Sequence, residues 1–180
     1  MTKKVLIISS SPRKGSNSDA LCEEFKRGAL ASNNTVEKVL LRDKQIKYCI
    51  GCGACIINGY TNCSQQDDMS ELLDKMIASD VIVMASPVYF YTVCAQMKAF
   101  LDRCCARHTK IKNKEFYFIV TAADTDRAMM NRTLECFRGF LDCLENPIEK
   151  GYIKAVGLEG RGEALNSDYM QVSYNLGIQV

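Results

Sequence analysis

The chain alternates short apolar runs with longer segments whose apolar residues return every three or four positions. Val5-Leu6-Ile7-Ile8 is the first run, and Leu21, Cys22, Phe25 and Ala29 mark the buried stripe of the helix after it. Thr35–Leu41 reads as a second strand. A helix opens at Asp67-Asp68-Met69-Ser70-Glu71, where acidic residues suit the positive end of its dipole, and buries Leu72, Leu73, Met76 and Ile77. Val81–Ala85 is continuously apolar, as expected of a parallel strand covered on both faces. Met97, Phe100, Leu101 and Cys104 then follow at helical spacing. Phe116–Thr121 is a fourth strand, and Ala128–Leu144 a long helix with Met129, Leu134, Phe137, Phe140 and Leu141 inside. Tyr152–Val156 is a short fifth strand, and Glu163–Ile178 the last helix, with Leu165, Tyr169, Val172 and Leu176 on its inner face.

Strands alternating with helices specify an α/β fold, a doubly wound five-stranded parallel sheet in three α/β/α layers. The flavodoxin-like order 2-1-3-4-5 is the one expected, and its ligand crevice lies beyond the carboxyl ends of the strands. The segments at those ends are Ser9–Ser18, Ser86–Thr92 and Thr121–Asp126, all rich in hydroxyls, small residues or aromatics.

Ser9–Ser18 joins a strand to a helix, a junction that leaves free backbone N–H groups at the positive end of the helix dipole. Ser10, Ser11, Ser16, Asn17 and Ser18 add neutral donors, and Arg13 and Lys14 add charge, so the loop can hold a phosphate. An ordinary turn capped by Ser16 and Asp19 would use the same residues. Neither G-x-x-x-x-G-K-[ST] nor G-x-G-x-x-G is present, and Gly51-Cys52-Gly53 is only a fragment of the second. A hydroxyl-built loop suits the single terminal phosphate of a mononucleotide.

At 180 residues the chain suffices for a single domain, 1–180, carrying a cysteine-rich insertion at about 46–66. A net charge of +2 without a basic stripe gives no reason to expect nucleic acid. No segment reads as a signal peptide or membrane span, which predicts a cytoplasmic protein without a membrane partner. Ten cysteines in such a chain point to metal or redox chemistry. Cys22, Cys94, Cys104, Cys105, Cys136 and Cys143 fall in predicted helices and read as small buried hydrophobes. Cys49, Cys52, Cys55 and Cys63 form a separate group.

Three segments carry a family resemblance: Ser10–Ser18, Ser86-Pro87-Val88-Tyr89-Phe90, and Gln96–Arg103. Together they resemble the NADPH-dependent FMN reductase family, which is flavodoxin-like. The segment from Cys49 to Cys63, followed by Asp67-Asp68-Met69, resembles its iron–sulfur flavoprotein branch. The resemblance implies an FMN whose phosphate rests in Ser10–Ser18. Its flavin ring would lie along Pro87, Val88, Tyr89 and Phe90, with Thr121, Ala122 and Ala123 closing the other side. It also implies NAD(P)H as a co-substrate, a small-molecule electron acceptor, ferredoxin as an alternative donor, and a homodimer or homotetramer. Hydride or electron transfer asks for no catalytic base from the protein. The single histidine, His108, is placed in a solvated basic patch with Arg103, Arg107 and Lys110.

The cysteine spacing, C-x2-C-x2-C-x7-C, can wrap one corner of a 4Fe-4S cluster. Structural zinc usually takes two separated C-x-x-C knuckles, so the shared middle cysteine favours iron–sulfur. Thiol–disulfide exchange through Cys52 and Cys55, or a loop whose thiols bind nothing, are the other readings. The expectation is an FMN-dependent oxidoreductase, with a flavodoxin-like carrier as the rival.

Overall fold

The computed structural model describes residues 2–180. The strands are β1 (Lys4–Ser9), β2 (Thr35–Leu40), β3 (Val81–Tyr89), β4 (Thr92–Val93), β5 (Glu115–Thr121) and β6 (Ile148–Ala155). The helices are α1 (Asn17–Ala31), the single turn α2 (Ala54–Ile57), α3 (Met69–Ala78), α4 (Ala95–Arg103), α5 (Asn131–Leu141) and α6 (Tyr169–Ile178). The parallel strands run β2-β1-β3-β5-β6, the predicted order once the short β4, which folds back antiparallel on β3, is set aside.

Successive residues of each central strand serve opposite faces, so apolar residues are needed at every position. Val81, Val83 and Ala85 pack with Leu21, Cys22 and Phe25 on one side. Ile82 and Met84 pack with Leu72, Met97, Phe100 and Phe137 on the other. Phe118 stacks on Phe137 at 4.8 Å, and Phe25 meets Tyr117 edge-on at 5.1 Å.

The structure differs from the sequence pattern's expectations in four places. β3 runs four residues further, so Ser86–Tyr89 is strand rather than loop. The long helix is confined to Asn131–Leu141, and Met130, not Met129, is its fully buried methionine. β6 starts at Ile148, four residues early. The last helix is broken: a 3-10 turn at Glu163–Asn166 precedes α6, leaving Leu165 and Val172 61% and 44% exposed. Tyr169 and Leu176 do pack against the core, while the fully buried positions of α6 are small, Ser173 and Gly177. A Cβ on Gly28 would fall 2.1 Å from the Tyr174 carbonyl oxygen, and one on Gly177 2.2 Å from that of Phe25. The buried Ser173 hydroxyl donates to the Leu21 carbonyl at 2.6 Å. Helices α1 and α6 therefore touch backbone to backbone, a contact that hydrophobic spacing cannot reveal.

Candidate functional site

At the end of β1 the chain turns through buried serines. Ser10 Oγ donates to the Ala85 carbonyl at 2.7 Å, as does its backbone N–H at 3.0 Å, and the Cys94 thiol lies 3.1 Å from Ser10 Oγ. These bonds fix the loop to β3. Gly15, at φ +66°, makes the turn a side chain would strain, and a Cβ there would sit 3.5 Å from the Arg161 side chain. Ser16 caps α1 by accepting the Asp19 N–H at 3.3 Å. The first turn of α1 still presents N–H groups without intrahelical partners. The cap and the anion-ready terminus thus coexist.

A cleft of about 310 Å³ opens over this terminus, bounded by Ser11, Arg13, Ser16 and Asn17 on the loop side. Pro87, Val88 and Tyr89 form a second wall, and Thr121, Ala122 and Ala123 a third. The second wall exists because β3 outruns β1, whose last pairing is Ser9 with Ala85. The cleft lies between β1 and β3, where the strand order reverses.

Three of the predicted residues stand apart from the cleft lining. Ser10 and Ser18 are fully buried behind the loop, where Ser18 Oγ lies 3.4 Å from Ser16 Oγ. Phe90 is fully exposed at the tip of the β3–β4 hairpin. It and Tyr91 have φ of +49° and +61°, unusual for aromatic residues and fitting a tight two-residue turn. Asn17 borders the cleft, but its side chain is spent: Nδ2 donates to the Leu158 and Gly160 carbonyls, and Oδ1 accepts the Ala164 N–H at 3.0 Å.

Those bonds bring in a wall absent from the sequence reading: Leu158, Glu159, Gly160 and Arg161. They follow β6, so the rule that ligands gather beyond strand ends, applied to the fifth parallel strand, would have found them. Arg161 joins Arg13 to give the cleft two guanidinium groups against one carboxylate, Glu159.

The cysteine segment is anchored firmly at its base and loosely elsewhere. Arg103, expected on the surface, is 2% exposed, and its guanidinium grips both oxygens of Asp67 at 2.7 and 3.0 Å. Arg103 Nη1 also donates to the Lys47 carbonyl at 2.8 Å, and Asp67 accepts the N–H groups of Lys47 and Met69. Gln45 and Asp68 add a reciprocal pair of bonds. Burial alone would raise the Asp67 carboxyl, but the Arg103 and backbone N–H bonds outweigh it and hold the group below the usual carboxylate range.

Above this clamp, the four predicted ligand thiols face different partners. Cys52 Sγ lies 3.4 Å from Ser64 Oγ, a bond that lowers its pKa. Cys63 Sγ accepts the Gln65 N–H at 3.4 Å, Cys55 Sγ lies 3.9 Å from Cys105 Sγ, and Cys49 is exposed. Among the described residues, no three His, Cys, Asp or Glu side chains converge as a metal ion would require. Of the six cysteines assigned to packing, Cys22, Cys94 and Cys104 are buried, and burial pushes the thiols of Cys22 and Cys104 up. Cys105 and Cys143 are exposed and Cys136 is half-buried. His108 meets Tyr60 edge-on, ring centroids 4.8 Å apart.

The family model described as NADPH-dependent FMN reductase matches residues 3–141. An iron–sulfur flavoprotein of Archaeoglobus fulgidus is 43% identical over 100 residues, covering 56% of this chain and 44% of that protein. An iron–sulfur flavoprotein of Methanocaldococcus jannaschii is 40% identical over 100 residues, covering 56% and 51%. The chain therefore spans about half the length of these relatives. A solved NAD(P)H:quinone oxidoreductase from Methanothermobacter marburgensis superposes with a TM-score of 0.79 at 15% identity, covering 99% of this chain and 97% of that one. That likeness is one of fold. No helix among the described residues is long and apolar enough to cross a membrane.

Proposed function

The chain belongs to the NADPH-dependent FMN reductase family, and from that premise we propose that it is an FMN-dependent oxidoreductase acting as one domain, taking electrons from NAD(P)H and passing them to a small acceptor such as a quinone. The observation that carries the reading is the cleft at the strand-order reversal, where a helix N-terminus, hydroxyls and two guanidinium groups meet an overhanging strand. This donor set fits FMN: an anion at one end, a flat apolar and amide-lined slot at the other.

Ser11, Arg13, Ser16, Arg161 and the first turn of α1 would hold the phosphate. Ser10 and Ser18 support the loop from behind, and Asn17 ties it to residues 158–164. Pro87, Val88 and Tyr89 would border the ring on one side and Thr121, Ala122 and Ala123 on the other, with Phe90 at the rim. A bound flavin supplies two-electron acceptance and stepwise release. The protein's part is to bind, orient and shield, and no side chain need move a proton.

Titrating the purified chain with FMN, then following NADH and NADPH oxidation with a quinone or ferric acceptor, tests this. Saturable FMN binding and acceptor-dependent turnover are expected. Absence of FMN binding overturns the reading, and binding without nicotinamide oxidation shifts it to a ferredoxin-fed enzyme or carrier.

The spacing of Cys49, Cys52, Cys55 and Cys63, in a chain similar to proteins named iron–sulfur flavoproteins, favours a second cofactor, a 4Fe-4S cluster. The diverging thiols do not fit one as they stand, so no electron path is drawn through it. Iron and acid-labile sulfide analysis with an anaerobic spectrum decides: about four irons per chain supports a cluster, and flavin bands alone exclude it. Assembly as a homodimer or homotetramer is checked by light scattering during gel filtration.

A further inference from the structure

We propose that Cys55 and Cys105 form a redox-responsive disulfide that locks the cysteine segment onto the end of α4. Their sulfurs are 3.9 Å apart although the residues are 50 positions apart in the chain. Cys105 is exposed and Cys55 half-buried, so an oxidant reaches both. Bond formation asks the sulfurs to close to about 2.05 Å, a shift of roughly 2 Å.

The segment bearing Cys55 is built to allow that shift. α2 is a single turn with no buried residue, bounded by Gly53 and Gly59 at φ of +71° and +69°. A Cβ at either glycine would meet nothing within 4 Å, so both ends of the turn face open space, and Cys55 itself is only half-buried against the core. Two contacts keep it close to its partner. The Tyr60 ring rests edge-on against His108, and His108 Nδ1 lies 3.1 Å from the Cys105 carbonyl oxygen. Cys143, which lines the same cavity as Cys105, and Cys49, which shares the tryptic peptide of Cys55, are the competitors to discriminate. The adjacent Cys104 is fully buried against Met76 and stays out of the exchange.

Hydrogen peroxide is the oxidant. One thiolate attacks it, breaking the O–O bond and giving a sulfenic acid with loss of hydroxide. The second thiol displaces the sulfenic oxygen as water and forms the S–S bond. Two thiols and one peroxide thus yield one disulfide and two waters, the peroxide taking both electrons. A Cys55 held in this bond is unavailable to a metal, so disulfide and cluster ligation at Cys55 exclude each other.

The test is peroxide treatment of the purified full chain, blocking of free thiols, and tryptic mapping without reductant, with iron measured before and after. The expected product joins peptide 48–75 to peptide 104–107, disappears on reduction, and is accompanied by release of any bound iron. It should be absent from Cys55→Ser and Cys105→Ser and present in Cys49→Ser, Cys52→Ser and Cys143→Ser. Oxidised protein should also melt at higher temperature and lose less of segment 48–66 to protease. A bond within peptide 48–75, a bond to the Cys143 peptide, or oxidation of Cys55 and Cys105 only to sulfinic acid overturns the proposal. If both serine variants melt like the parent when reduced, loss of the link cannot be blamed on misfolding.

Discussion

The phosphate-type loop and the cysteine segment are both short, polar and rich in small residues, yet they are held in opposite ways. In the loop, Ser9, Ser10 and Ser18 are fully buried, and Ser10, Ser16 and Asn17 each bond to backbone, so the cleft is formed before anything binds. The cysteine segment is fixed chiefly at its two stems, by the Arg103–Asp67 pair and its satellites, with Tyr60 against His108 and the half-buried Cys55 and Cys63 as lighter contacts between them. Between them lie glycines with φ above +60° and an exposed Ile57. A site that must receive a rigid organic molecule gains from preorganisation. A thiol set that must exchange partners gains from the lack of it.

Arg103→Ala should separate the two regions most sharply. It leaves the Asp67 carboxylate, 4% exposed, without its partner. Losing one side of such a pair costs about 3–5 kcal/mol. Urea unfolding should show that loss, and limited proteolysis should cut within 48–66, while FMN still binds. A loss near zero would mean that the segment is held by something other than its stems.

Acid reaches the same clamp without a mutation. The Asp67 carboxyl sits below its unfolded value of about 3.8, so its contribution is complete above that pH and is lost as pH falls through the lower, folded value. Hydrogen exchange followed as pH is lowered below 3.8 should therefore show residues 45–68 opening before β1, β3 and β5. Uniform opening would place the weakness elsewhere.

Ser16→Ala probes the other region. Loss of the α1 cap costs about 1 kcal/mol. On the proposed role of Ser16 as a phosphate donor, its loss should weaken FMN binding about tenfold or more. Proteolysis of 48–66 should not change. Calorimetric titration and thermal melts read the two effects separately.

The first region was legible in sequence because its signals are local: a strand, a run of hydroxyls, a helix and a glycine at the turn. The doubly wound class followed from alternation, and the strand order from the flavodoxin-like pattern that five strands suggest. What escaped notice depends on partners far along the chain. Arg103 looked like a surface cation until Asp67, 36 residues earlier, buried it. Cys105 looked like a core thiol until α2 was placed against it. Residues 158–161 carry no motif, and they join the cleft because Asn17 holds them there. The close contact of α6 with α1 escapes the apolar pattern, since Gly177 and Ser173 pack by what they lack.

The smallest effect separates the cleft from its rim. Phe90 is exposed on all sides and held at φ +49°, where an aromatic side chain is strained and an asparagine is not. Phe90→Asn should therefore leave the hairpin intact and raise stability by up to about 1 kcal/mol, read as a higher melting temperature. FMN affinity should hardly change, because the cleft is bounded by Pro87, Val88 and Tyr89 and not by Phe90. Turnover with a bulky aromatic acceptor should fall more than turnover with ferric ion, since only the former would use an aromatic surface at the rim. If FMN binding drops as steeply as in Ser16→Ala, Phe90 folds inward over the ring when it is bound. The cleft would then share the adaptability of the cysteine segment.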